Sequence, residues 1–208
     1  VERGVKLAGA PHGGDSGTGA WSANESHEHK VVDRYYSWGW TDSKNSKITP
    51  LTSGQLIGIE DLIKSDPKGE ILCVGGSYPR YSYSLFSGPV GPQVMDCIRD
   101  QEAFCGAVSK EVFDLLLLRL YPVERGWKEK SRWETSFPSL KIYQKKDSIY
   151  KQMSESRLVI ITYIGTTYLE AFAANYPTIL FWNPDHNEIR LSAKPYFDIL
   201  RQVGILHD

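Results

Sequence analysis

The chain lacks a dominant charge: 24 Lys and Arg stand against 25 Asp and Glu, a formal net charge of -1. It therefore has no broad attraction for nucleic acid or an anionic membrane surface. It lacks any apolar run near the roughly 20 residues that span a bilayer, and its first residues lack the apolar core of a signal peptide. Cysteine is scarce. The three thiols, Cys73, Cys97 and Cys105, are odd in number and sit in or beside apolar stretches, which suits reduced thiols in a cytoplasm rather than a disulfide framework. No zinc pairing, internal repeat or low-complexity tract is visible. His27-Glu28-His29 does not make a metal site, because histidines at i and i+2 share a direction only on a strand and no third ligand is spaced to complete a shell. The basic runs Lys128, Lys130, Arg132 and Lys141, Lys145, Lys146 are interrupted by Glu129, Glu134 and aromatics, and read as solvated faces.

What is present is ordinary for a folded protein, with 41% hydrophobic and 24% charged residues in 208, enough for one well-filled core and an appended partial unit. The first residue is Val1 and a strand-like segment follows almost at once, which predicts a truncated or processed start. Val5 to Ala10 reads as a buried strand that delivers the turn Pro11-His12-Gly13-Gly14. Asp15 to Lys30 has little periodicity and reads as a surface loop or lid, before a strand at Val31 to Trp38. Residues Thr41 to Lys68, with Pro50, Gly54, Gly58 and Pro67, read as a connection. Beyond them strands alternate with helices: strands at Glu70 to Val74, Leu115 to Leu120, Leu140 to Tyr143, Leu158 to Thr162 and Thr178 to Trp182, and helices within Pro92 to Ala107 and at Ser148 to Glu155, Thr167 to Asn175 and Glu188 to Val203. Leu115 to Leu120 and Leu158 to Ile161 are nearly continuous Leu, Val and Ile, as parallel strands covered on both faces require. The expected fold is α/β, a doubly wound, Rossmann-like parallel sheet, with ligands bound outside the carboxyl ends of its strands. The expected division is 1–66 for a first unit and connection and 67–208 for the sheet.

The most informative stretch is the strand Leu158 to Ile161 running into Thr162-Tyr163-Ile164-Gly165-Thr166-Thr167 and a helix that contains Glu170. Amides at a helix start, the positive end of its dipole and nearby hydroxyls suit a phosphate, and Gly165 lets the backbone approach closely. Thr167 and Glu170 also fit a capping box, in which each satisfies the other's backbone donor. Leu118-Arg119-Leu120-Tyr121-Pro122 ends another strand, and Arg119 offers a planar fork of donors suited to a diphosphate, or to an ordinary surface carboxylate. His12 is a candidate acid–base group, since histidine ordinarily titrates near neutrality; a turn histidine bonded only to the backbone is the other reading. Trp38 and Trp40 fit packing at a core or unit interface, or stacking on a sugar or base. His186, Glu188 and Arg190 fall at the same sheet edge, with Asn183, Asp185 or Asn187 available as helix caps.

Glu170-Ala171-Phe172-Ala173-Ala174-Asn175-Tyr176-Pro177 followed by Thr178-Ile179-Leu180-Phe181 resembles the Glu-Ala-x-Ala-x-Gly-x-Pro signature of GT-B-type glycosyltransferases and nucleotide-sugar epimerases. Asn175 stands in for the usual glycine, and asparagine tolerates the left-handed conformation of a helix end. His12-Gly13-Gly14, Asp33 through Trp38-Gly39-Trp40, and Thr166-Thr167 with Glu170 and Phe181-Trp182 look like a family of transferases from bacterial surface-carbohydrate loci, over most of the chain. The resemblance implies that Glu170 accepts hydrogen bonds from a donor's ribose and that the turn from Thr162 through Gly165, Thr166 and Thr167 holds its phosphates. Arg119 and Tyr121 resemble the Arg-x-His-Pro element, with Tyr121 where histidine is common. Arg80, in Ser77-Tyr78-Pro79-Arg80, stands where such enzymes often place a basic residue; an ordinary loop arginine is the other reading. His12 resembles the Trp-His-Gly turn of transferases that act on wall polymers, with Pro11 in place of Trp.

These likenesses imply the nucleotide-binding C-terminal domain of a GT-B enzyme with a remnant of the N-terminal domain, the rest of which is missing. The partners implied are a nucleotide-diphosphate sugar donor and a carbohydrate or lipid-linked acceptor, with no nucleic acid, no transmembrane segment, no metal and no cofactor. The location implied is the cytoplasm, or the inner membrane's periphery for a longer protein. An epimerase or hydrolase of a nucleotide sugar, and a non-catalytic nucleotide-binding module, fit the same residues.

Overall fold

Strands that are apolar on both sides build the larger of two parallel sheets. The computed structural model describes residues 4–82, 86–145 and 147–208; Val1 and Lys146 lie outside them. The smaller sheet joins β1 (Ala8–Gly9), β2 (Arg34–Trp38) and β3 (Ile48–Leu51) in that order, all parallel, with helix α1 (Ala23–Val31) between β1 and β2. After the short helix α2 (Ile59–Leu62) come β4 (Glu70–Val74), α3 (Gln93–Ala107), α4 (Lys110–Phe113), β5 (Leu116–Arg119), α5 (Glu129–Ser136) and β6 (Lys141–Ile142). The chain then returns through α6 (Ile149–Ser154), β7 (Ser156–Ile161), α7 (Thr166–Ala173), β8 (Thr178–Phe181), a 3-10 turn at Pro184–His186, α8 (Lys194–Gln202) and β9 (Leu206–His207).

The larger sheet has the order β6-β5-β4-β7-β8-β9, with every pairing parallel. From β4 the chain winds toward one edge, then crosses back to β7 and winds toward the other. This is the Rossmann-like order, and its topological switch falls between β4 and β7. Alternate residues of β4 enter opposite cores: Leu72 and Val74 pack with Val159, Ile161, Leu180 and Tyr168, while Ile71 and Cys73 pack with Leu116, Leu118, Ile160 and Trp133. Covering both faces explains why these strands read as continuous apolar runs. Ile59 and Ile63, at either end of α2, are buried in the first of these cores, so this turn packs under the larger sheet.

Several expected elements differ. The first strand is only Ala8–Gly9, and Val5 is 63% exposed, because the pairing with β2 extends over just two residues. The expected loop at Asp15 to Lys30 contains α1, whose N-cap Ser22 accepts from the Glu25 amide at 3.4 Å, and Val31 ends that helix rather than starting β2. The expected helix at Glu188 to Val203 starts only at Lys194, with Pro195 in its first turn, where a missing amide costs nothing. The end of α7 follows expectation. Asn175 is left-handed at φ 49°, Asn175 donates to the Phe172 carbonyl at 3.0 Å and Tyr176 to the Ala171 carbonyl at 2.9 Å, a Schellman closure.

Candidate functional site

The loops that leave β4 and β7 border the switch crevice. Thr162 ends the ladder: its amide donates to the Val74 carbonyl at 3.2 Å and its hydroxyl to the same oxygen at 3.3 Å. That buried hydroxyl ties the two loops together beneath the crevice. Gly165 then caps α7 without a side-chain bond, and Thr166 is the first helical residue. The capping box is not formed, since the Thr167 hydroxyl pairs with the Tyr163 hydroxyl at 2.8 Å and Glu170 Oε1 accepts from the Tyr150 hydroxyl at 2.9 Å. Glu170 is only 9% exposed, and burial raises its pKa above the ordinary carboxylate value against the lowering effect of the Tyr150 bond.

The smaller unit reaches this turn through its glycines. The Gly14 amide donates to Thr166 Oγ1 at 3.1 Å, and a Cβ at Gly14 would lie 2.4 Å from the Gly165 carbonyl oxygen. Only glycine allows that approach. Beside it lies a cavity of about 150 Å³ whose lining includes Gly13, Asp15, Gly165, Thr166, Ser87 and Asn187. His12 is exposed on the segment that leads into this glycine turn.

Arg119 is the last residue of β5, at the same carboxyl edge of the sheet. Its NH1 and NH2 both donate to the Asp147 carbonyl at 3.2 Å, and NH1 also donates to Gln152 Oε1. Neither partner is a carboxylate, so the surface ion pair is not its role. Burial lowers its pKa, and Tyr143, Tyr163 and Asp147 act on it electrostatically in the opposite sense. Arg119 opens onto a groove of about 740 Å³, shared with Tyr121, Glu124, Glu129, Tyr143 and Asp147.

The model of the LIC12162 family transferase matches residues 1–208, the whole chain. The chain belongs to the LIC12162 transferase family. No curated protein and no solved structure matches the chain.

In this LIC12162 family transferase the sequence-derived residues form two neighbouring groups. Gly165, Thr166, Thr167 and Glu170 share the start of α7, with the His12 turn against them, while Arg119 and Tyr121 border the groove at the end of β5. Tyr121 is exposed, with the Arg125 guanidinium 5.1 Å from its ring centre. Arg80 turns elsewhere: it donates to the Gly126 carbonyl at 3.2 Å and lies over Trp127 and Tyr81 at 5.6 and 5.8 Å. His186 faces Asp96 at 3.1 Å, and Asn183 caps the 3-10 turn by accepting from the Asp185 amide at 2.9 Å.

Arg190 joins the two units of the transferase. It donates to the Gly19 carbonyl at 3.0 Å and to the buried Glu25 carboxylate at 2.6 Å, and lies 5.4 Å from the Trp40 ring centre. Trp40 thus packs among Tyr35, His29 and Arg190. His29 stands 3.8 Å from Glu25, and among the described residues no group of three His, Cys, Asp or Glu side chains could hold a metal ion. No helix of the described residues is long and apolar enough to cross a membrane. Sequence reasoning missed Tyr150, Gln152 and Tyr163. A polar, hydroxyl-rich spacing around the Gly165 turn was the available signal, but their partners sit on other elements.

Proposed function

We propose that this transferase moves a sugar, or a related group, from a nucleoside-diphosphate donor to a carbohydrate or lipid-linked acceptor, as the second domain of a GT-B enzyme does. The observation that carries the reading is the start of α7. Gly165 and Thr166 open onto a cavity at the switch between β4 and β7, Glu170 lies one turn into the helix, and Arg119 ends a parallel strand at the same sheet edge. Donor phosphates take the helix amides, that of Thr167 among them, and the Thr166 hydroxyl, while Glu170 accepts from the ribose. Thr162 supports the turn from below.

In the proposed reaction His12 takes the proton of an acceptor hydroxyl, the acceptor oxygen bonds to the transferred carbon, and the bond from that carbon to the diphosphate oxygen breaks. Charge on the departing diphosphate is met by Arg119 and the α7 amides. Residues 1–66 belong in this reading to a first domain and 67–208 to the donor domain. Tyr121 then borders the groove beside Arg119, while Arg80 is engaged with Gly126 and Trp127. Surface-polysaccharide assembly at the cytoplasmic face of a membrane is the setting this chemistry fits.

Calorimetric titration with UDP-, GDP-, CDP- and CMP-linked sugars tests the reading, alongside Glu170→Gln and His12→Gln. Glu170→Gln weakens the preferred donor by about 1 to 3 kcal/mol; His12→Gln removes turnover and leaves donor binding intact. The absence of binding by every donor, or full turnover by His12→Gln, would overturn the corresponding assignment.

A further inference from the structure

Tyr163 lies where the proposed phosphate turn meets the other loop of the switch crevice. A Cβ at Gly165 would stand 2.4 Å from Tyr163 Cε2 and 2.9 Å from Cδ2, and a Cβ at Gly76 would stand 2.7 Å from Tyr163 Cβ and 2.9 Å from Cγ. Carbon atoms do not pack so closely. The side chain is therefore seated between two glycines, one from each loop that borders the crevice, and both positions need glycine to receive it.

This seat brings the phenol to the proposed ligand groups. The hydroxyl pairs with Thr167 Oγ1 at 2.8 Å, and burial raises the phenol's pKa, with smaller electrostatic effects from Glu170, Arg119 and Tyr121. A phenolic hydroxyl carries one donor and two acceptor sites. Either hydroxyl can donate in this pair; in the arrangement where Thr167 donates, the phenol's own proton is free for an acceptor in the crevice. The Thr167 hydroxyl belongs to the first turn of α7, where the dipole favours an anion, so that acceptor is a phosphoryl oxygen.

We propose that Tyr163 is a ligand-binding residue that donates its hydroxyl to the diphosphate of the nucleotide, while its ring, seated between Gly76 and Gly165, fixes the turn that presents the helix amides. The inference rests on the nucleotide reading of the α7 site. Tyr163→Phe deletes the hydroxyl and keeps the wedge. Titrating the wild-type chain, Tyr163→Phe and Thr166→Ala with UDP, GDP and CDP, and measuring unfolding temperatures, gives the test. Tyr163→Phe should bind the preferred diphosphate about 10-fold more weakly, as expected for a lost hydrogen bond to a charged group, with an unfolding temperature lowered by no more than the roughly 2 to 4 °C that losing the Thr167 bond costs. Unchanged affinity in Tyr163→Phe, alongside weakened binding by Thr166→Ala, would overturn this inference and leave the nucleotide site standing. Failure of all three diphosphates to bind the wild-type chain would remove the site itself. Should the phenylalanine variant unfold early, 3-fluorotyrosine at position 163 supplies a second readout: its fluorine resonance must move on adding the preferred diphosphate, and a static resonance at saturation refutes the contact.

Discussion

Replacing Gly165 with alanine would put a methyl group 2.4 Å from Tyr163 Cε2 and 2.9 Å from Cδ2. Carbon contacts settle at about 3.5 to 4.0 Å, so the overlap is about 1 Å or more. Gly165 has an extended backbone at φ -167°, open to any residue, so steric overlap alone sets the cost. The ring has little room to retreat, since Gly76 holds its other side and Thr167 its hydroxyl. Overpacking of this kind costs about 1 to 3 kcal/mol. At roughly 2 to 4 °C per kcal/mol for a chain of this size, a 2 kcal/mol loss lowers the unfolding temperature by about 4 to 8 °C. The decisive assay is a thermodynamic cycle by urea unfolding of the wild type, Gly165→Ala, Tyr163→Ala and the double variant. With the ring gone, alanine at 165 should cost under about 0.5 kcal/mol, the margin for independent sites. An equal cost in both backgrounds would refute the wedge.

Arg190→Ala strips the 2.6 Å partner from Glu25, which is 6% exposed and keeps only His29 at 3.8 Å among the described residues, and should cost about 3 kcal/mol; limited proteolysis between the two sheets should accelerate, and a change below about 0.5 kcal/mol would refute the latch. Burial holds the folded pKa of Glu170 above its unfolded value, so the stability it contributes is fully present below the unfolded pKa and is lost as pH rises through the folded one. Glu170→Gln should therefore gain on the wild type in urea unfolding as pH rises above the ordinary carboxylate value of about 4.5, and a constant difference would contradict the assignment. Burial pushes the Cys97 thiol up to about 12 and the Cys105 thiol up to about 11. The native chain should hardly react with a disulfide reagent near pH 8 until urea exposes the thiols, and prompt reaction would show that α3 opens.

The alternation of parallel strands and helices was legible because Leu115 to Leu118 and Leu158 to Ile161 are apolar at successive positions, a pattern that only two covered faces explain. Asn175 was legible for a local reason, the backbone preference of its own side chain. In contrast, α1 buries only Glu25 and α5 only Trp133, so neither carries an apolar stripe to read. The two-residue strands β1, β6 and β9 are defined by pairing, which a local sequence pattern does not contain.

The candidate site was legible as residue types and no further. The Gly165 turn and Arg119 stood out as residue types at strand ends, and parallel topology brings them to one edge. What the glycine accommodates did not, because Gly76 and Tyr163 meet only once β4 and β7 are paired. Arg190 points to the other unit rather than to the crevice because Glu25, on a helix that the sequence did not announce, supplies its carboxylate.

The contact of Gly14 with the Gly165 carbonyl has a consequence for inheritance of change. A side chain acquired at position 14 would have to displace that carbonyl, and the first turn of α7 would move with it. The helix start at the edge of one sheet is thereby open to revision from a loop of the other, and drift in the smaller sheet's loops can shift the larger one without altering any residue in it.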